Sequence, residues 1–273
     1  MTGRESTFQP ARHAAKALLG YALDTLLSGT PAAGSGTRVP NPWDAWWAAY
    51  RTGRPLAATG TRAVAGGACA ECAGRALALA AASPPGHPGT EPGPCGCLLR
   101  WAAAMRSPGP PPGWPTAALS LALVKPGAPA GLIRGLLAVD FDILAERELV
   151  LTTADTRRLY PEAYGAAYVA GRDAYLTGGP ARVLTLLARH PAAGWDVKAR
   201  IRAQAGGDVL RNHLHMPDNP GEALADIAHF AGYGELARLY RRYERDRTSS
   251  RLAFYRTALG IGAPCADRLA AAG

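Results

Sequence analysis

Thr116-Ala117-Ala118-Leu119-Ser120-Leu121-Ala122-Leu123-Val124, followed at once by Lys125-Pro126-Gly127, is the stretch on which the fold turns. It is a short apolar run closed by a Pro-Gly pair, and it reads as a buried strand that stops abruptly. Beyond it the pattern alternates. Residues 131–147 predict a helix, 148–153 (ELVLTT) a strand, 156–176 a helix in two pieces and 181–187 (ARVLTLL) a strand. A helix over 195–205, a short strand over 208–211 and a helix over 219–231 follow. The order β-α-β-α-β-α-β-α predicts an α/β (α+β) fold, with a ferredoxin-like α/β sandwich as an economical arrangement. Residues 235–256 then read as a basic C-terminal helix or two.

Upstream, Ser107-Pro108-Gly109-Pro110-Pro111-Pro112-Gly113-Trp114-Pro115 reads as a linker, because proline fixes φ and lacks an N–H, so neither a helix nor a central strand accepts the run. The domain boundary is therefore expected near residue 113. Residues 10–27, 42–51, 68–82 and 98–105 have helical composition, so 1–112 is expected to be a small helical domain, 113–245 the α/β domain and 246–273 a tail. Trp43, Trp46 and Trp47 fall at helical spacing and are assigned to packing.

Cys69 and Cys72 form C-x2-C, and Cys95 and Cys97 form C-x-C beyond a Pro/Gly-rich loop. Two closely spaced thiolate pairs suit a tetrahedral structural Zn²⁺, while packed free thiols or a redox pair remain open readings. No open ligand position points to a catalytic zinc.

The chain has 273 residues, is 48% hydrophobic and carries a formal charge of +9. A sizeable core is expected, and the charge suits a polyanionic partner or a solvated arginine-rich surface. No 18-residue apolar run and no apolar signal segment occurs, so no membrane partner and a cytoplasmic location are expected.

Two stretches carry candidate chemistry. Lys125, one of only three lysines, stands at a strand exit, where α/β folds present ligand groups and an ammonium suits phosphate. The segment Arg211-Asn212-His213-Leu214-His215-Met216-Pro217-Asp218-Asn219-Pro220-Gly221-Glu222 places two histidines before a helix, with Asp218 or Asn219 as cap and Glu222 at capping-box spacing. His213 and His215 could also share a metal, though no third ligand declares itself.

Together these stretches resemble the nucleoside diphosphate kinase family. There a first strand ends in Lys-Pro, and an Arg-Asn-x-x-His segment before a helix carries the phosphate-accepting histidine. Lys125-Pro126, Arg211-Asn212-His213-Leu214-His215, Asp218 and the helix Glu222-Ala223-Leu224-Ala225-Asp226-Ile227 with Phe230 follow that pattern. Tyr160, Tyr168 and Gly179-Pro180 continue it. The resemblance covers roughly residues 116–234, about 120 residues, and leaves 1–112 and the tail without counterpart.

The resemblance implies ping-pong phosphotransfer from a nucleoside triphosphate, through a phosphohistidine, to a nucleoside diphosphate or related acceptor. His215 would be the nucleophile, Asp226 would orient its ring, Lys125 and Asn212 would hold phosphate or sugar, and Mg²⁺ would bridge the phosphates. Tyr160 and Tyr168 would lie against phosphate and base, with Arg200, Arg202 or Arg211 as phosphate-binding arginines. Three departures stand out: Met216-Pro217 replaces Gly-Ser after the histidine, the first loop is shorter, and the segment between Pro180 and His215 is shorter. That last segment helps build hexamers in the family, so a smaller assembly, a homodimer, is expected. The readings from other classes are a catalytically impaired nucleotide-binding module and, behind it, a nucleic-acid-binding protein using the basic tail.

Overall fold

The computed structural model describes residues 118–160, 167–190, 194–208, 211–218 and 220–251, together with Leu23, Asp24, Leu27 and Ala253. The expected Trp face, the cysteine site and the Pro-rich linker lie outside the described residues. The chain divides into two compact units. One comprises Met1–Ser107, Tyr160–Gly165 and Thr248–Gly273, and the other Pro108–Leu159 and Ala166–Arg247.

In the first unit, Leu23, Asp24 and Leu27 are helical and buried. Arg251 grips Asp24 through Nε and Nη2 at 2.9 and 2.8 Å, with both side chains fully buried. A charge pair taken wholly out of water persists only when it is closely paired, so losing either partner would strand the other.

The second unit holds an antiparallel sheet in the order β2-β3-β1-β4. Its strands are β1 (Leu119–Val124), β2 (Phe141–Val150), β3 (Pro180–Ala188) and β4 (Leu214–His215). The helices are α1 (Ala130–Asp140), α2 (Thr153–Leu159), α3 (Val169–Thr177), α4 (Gly194–Ala205), α5 (Pro220–Ala231) and α6 (Tyr233–Tyr243). This is a mixed α/β unit with the ferredoxin-like strand order.

Strand alternation sorts the two faces. Ala122 and Val124 of β1, Leu184 and Leu186 of β3 and Leu214 of β4 pack with Ile133 and Leu137 of α1 and Val197 and Ile201 of α4. The intervening β1 residues Leu119, Leu121 and Leu123 are buried on the opposite face, the side covered by α5 and α6. His215 follows Leu214 and so belongs to that second face. Glu244, fully buried after α6, accepts the Leu119 N–H at 2.5 Å, which satisfies the first donor of β1.

Two expected boundaries are corrected. Residues 141–147 continue no helix: β2 begins directly at Phe141, and its helix-forming Glu146-Arg147-Glu148 run lies on an edge strand. There Arg182 of β3 pairs with Glu146 and Glu148 at 3.4 Å each, and Arg134 of α1 donates to Glu146 at 2.9 Å. Cross-strand pairing outweighs local propensity here. Among the described residues the fourth strand is Leu214–His215, and the two ends of the expected one, Asp208 and Arg211, are in no strand; Gly206 and Gly207, with φ of +73° and +104°, turn the chain after α4. The expected basic C-terminal helix or two is present as α6, ending at Tyr243, a 3₁₀ turn at Arg245–Arg247 and helical residues again from Thr248.

Candidate active site

The site forms where β1 ends and β4 begins. Lys125 follows the last residue of β1, and the chain turns away through Gly127 (φ +71°), with the Ala128 N–H returning to the Lys125 carbonyl at 3.2 Å. Gly179 packs here, and a Cβ on it would stand 3.5 Å from Pro126. Lys125 Nζ donates to Asn212 Oδ1 at 2.5 Å, and the Lys125 N–H donates to the His213 carbonyl at 2.9 Å.

The approach to β4 is strained. His213 has φ +61°, and the Leu214 N–H donates to the Asn212 carbonyl at 2.7 Å, closing a γ-turn of the rare positive-φ kind. Such a conformation costs on the order of 1–3 kcal/mol and survives only where its surroundings over-determine it. Gly207 supplies part of that support, since a Cβ there would lie 2.1 Å from the Arg211 carbonyl oxygen and 3.1 Å from His213 Cδ2. Only glycine permits this approach.

His215 is buried, and its Nε2 stands 2.9 Å from Oδ2 of Asp226, which is buried on α5. A carboxylate can only accept, so Nε2 carries the proton and the lone pair of the neutral ring sits on Nδ1. The α5 face that holds Asp226 carries two further polar groups at helical spacing. Glu222 accepts the Asp218 N–H at 3.1 Å, and His229 Nε2 meets Asp155 Oδ1 of α2 at 2.8 Å. Burial opposes the Asp155 charge, yet hydrogen bonds from His229 and from the Thr152 hydroxyl and N–H hold its carboxyl well below the usual carboxylate range.

Four cations share the neighbourhood. Burial, reinforced by the charges of Arg202, Arg172 and Lys198, pushes the Lys125 ammonium down to about 7. Lys198, buried on α4, donates to the Met216 carbonyl at 3.2 Å and pairs with Asp218. Arg202, one helical turn later, donates Nε and Nη2 to the Leu214 carbonyl at 3.0 and 2.8 Å. Arg172, buried on α3, holds Asp173 through Nε and Nη2 at 3.0 and 2.7 Å. Two of the four are matched by carboxylates, Lys198 by Asp218 and Arg172 by Asp173, while Lys125 and Arg202 donate to the neutral oxygens of Asn212 and Leu214.

The other sequence candidates are placed differently. Arg200, two positions from Arg202 and so on another side of α4, pairs with Asp140 at the end of α1. Arg211 is exposed, its backbone N–H held by Asp208 at 2.6 Å and its guanidinium 6.0 Å above the Tyr175 ring. Tyr168 stands 54% exposed just before α3. Tyr160 directly follows α2 and counts to the other unit. Met216 and Pro217 are both buried beside His215. Among the described residues no group of three or more His, Cys, Asp or Glu side chains is arranged to hold a metal ion.

Sequence reasoning did not single out Lys198 or Arg172. Lys198 had a readable signal: Val197 and Ile201 mark the core face of α4, so Lys198 and Arg202 share the adjacent stripe. Arg172, four residues after Tyr168, lies on one side of α3 with it.

No family model matches the chain, and no curated protein matches it. Among solved structures the chain is similar to an orthorhombic crystal form of the Aquifex aeolicus nucleoside diphosphate kinase, at 22% identity and a TM-score of 0.36, over 41% of this chain and 94% of that one. No helix among the described residues is long and apolar enough to cross a membrane.

Proposed function

We propose that the chain is a phosphotransferase of nucleoside diphosphate kinase type, with His215 as the phosphoryl acceptor. The observation that carries the reading is the buried His215–Asp226 pair, 2.9 Å apart and bordered by Lys125 and Asn212. With Nε2 held, the Nδ1 lone pair attacks the γ-phosphorus of a Mg²⁺–nucleoside triphosphate. The P–N bond forms as the P–O bond to the β-phosphate breaks, and the diphosphate leaves. In the second half an acceptor oxygen takes the phosphoryl group, and the electron pair of the P–N bond returns to the ring.

Charge develops on the transferring oxygens and on the leaving group, and preorganised cations stabilise it. Lys125, directed by Asn212, serves that purpose, and Arg172 adds positive charge from α3. Asp226 stabilises the positive ring of the phosphohistidine and maintains the tautomer.

Incubation with γ-³²P-ATP and Mg²⁺, wild type beside His215→Ala, tests the reading. Acid-labile, base-stable label that requires His215 and chases onto a nucleoside diphosphate is the expected result. Absence of label from wild type overturns the proposal. One observation favours a second reading, a module that binds nucleotide without turnover: buried Pro217 fixes the backbone two residues after the nucleophile. Nucleotide binding without label would establish it. A homodimer belongs to the same proposal, since α1 exposes Leu132 and Val139, and a light-scattering mass of six chains would overturn it.

A further inference from the structure

β4 is an edge strand, and an edge presents backbone groups with no strand beside them. The His213 carbonyl is taken on the β1 side by the Lys125 N–H, and the antiparallel register pairs Leu214 with Val124 and His215 with Leu123. Carbonyls alternate along a strand, so those of Leu214 and Met216 turn the other way, off the sheet. Among the described residues no strand meets them there. The Arg202 guanidinium takes the first through two donors, and the Lys198 ammonium takes the second while pairing with Asp218.

The spacing explains why a helix can do this. Four residues of α-helix rise about 6 Å, and two residues of strand advance about 6.6 Å. Going from Lys198 to Arg202, the bonded carbonyls run from Met216 back to Leu214, so α4 lies antiparallel to the strand with one cation per outward carbonyl. His215 is the residue between the two.

We propose that Lys198 and Arg202 are positioning residues for His215, holding the backbone on both sides of it, and are not ligands of the transferred phosphate. The inference rests on the reading of His215 as phosphoryl acceptor. The γ-turn at His213 stores strain immediately upstream, and the clamp keeps it from relaxing through residues 214–216. With both flanking carbonyls fixed, the bond to Asp226 sets the direction of the ring. Clamping matters because a displacement of about 1 Å at a reacting group can cost on the order of 10²-fold in rate.

The test uses the full chain with Arg202→Gln, Arg202→Lys and Lys198→Met beside wild type. Three quantities are read: the Kd for a non-hydrolysable Mg²⁺–ATP analogue, the single-turnover rate of His215 labelling, and the His215 tautomer by ¹⁵N NMR of the imidazole. Arg202→Gln is expected to slow labelling about 10- to 100-fold at unchanged Kd. The ring should then pass from one Nε2–H form to a mixture, and Arg202→Lys, which keeps a donor, should recover part of the rate. A Kd that weakens in step with the rate would make Arg202 a phosphate ligand and overturn the proposal, as would an unmoved ring signal. Failure of wild type to label sinks the phosphotransferase reading instead, and the tautomer measurement still decides the clamp. Should Arg202→Gln not fold, the Arg202→Lys and Lys198→Met comparisons carry the same decision.

Discussion

Lys125 Nζ donates to Asn212 Oδ1 at 2.5 Å, tying the exit of β1 to the residue that opens the γ-turn 87 positions later. The ammonium at that junction is poised to titrate near neutrality, pushed down to about 7 chiefly by its burial and then by neighbouring cations. A phosphate seated there would restore the charge. Nucleotide binding at pH 8 is therefore expected to take up protons, up to about one per site, and to weaken as pH rises further. Calorimetry in buffers of different ionisation enthalpy measures the uptake, and proton release on binding would contradict the arrangement.

Stability should follow the same group. A lysine whose folded pKa lies below its unfolded value near 10.5 costs stability wherever it is charged in the unfolded chain. The cost is full below about pH 7, shrinks as pH rises and vanishes above the unfolded value. Lys125→Met is expected to be more stable than wild type at pH 6, with the gap narrowing towards pH 10, while losing phosphotransfer. Denaturant midpoints at the two pH values check this.

Asp226→Asn keeps the shape beside His215 and removes the charge that favours the Nε2–H tautomer and the positive ring. A loss of phosphotransfer rate on the order of 10²-fold or more is expected, with nucleotide affinity little changed. A Kd that weakens as much as the rate falls would mean that Asp226 acts on nucleotide binding and not on the histidine.

Gly206 and Gly207 offer a controlled pair. Both have positive φ, but the space where a Cβ of Gly206 would sit is empty, whereas that of Gly207 lies 2.1 Å from a carbonyl oxygen. Gly206→Asn is expected to cost less than about 1 kcal/mol, because asparagine tolerates the left-handed region. Gly207→Ala should cost about 3 kcal/mol or more and abolish labelling of His215. Thermal unfolding of the two variants separates the cases.

Asp155→Asn should destabilise the α2–α5 contact by about 1.5–3 kcal/mol at neutral pH, the range for a hydrogen bond to a charged group. Because the folded carboxyl titrates below its unfolded value, its contribution is present above about pH 4 and is lost as pH falls through the folded value. The difference between variant and wild type should therefore shrink on acidification. A constant difference down to pH 2 would show that the loss is not electrostatic.

Much of the site was legible before the structure, for identifiable reasons. Lys125, Asn212, His215 and Asp226 come from two local segments, and the β1–β4 register brings their ends together. The strand order was reachable because the apolar runs of β1 and β3 belong to central strands, buried on both faces. The start of β2 was not, since the polar Glu146-Arg147-Glu148 run owes its strand conformation to partners on α1 and β3 that no local pattern reveals. Arg200 and Arg202 could not be separated in the sequence either. Two positions on a helix point to different sides, and only the location of β4 decides that one meets Asp140 and the other the Leu214 carbonyl.

The polar face of α5 has a consequence for how this chain can vary. Glu222, Asp226 and His229 each fasten a different segment, so they act as three teeth of one key. A single residue inserted within α5, between Glu222 and Asp226 or between Asp226 and His229, would turn one tooth about 100° away from the others, so the three could no longer engage together. What inheritance must guard along α5 is the spacing of these three positions on one helical face.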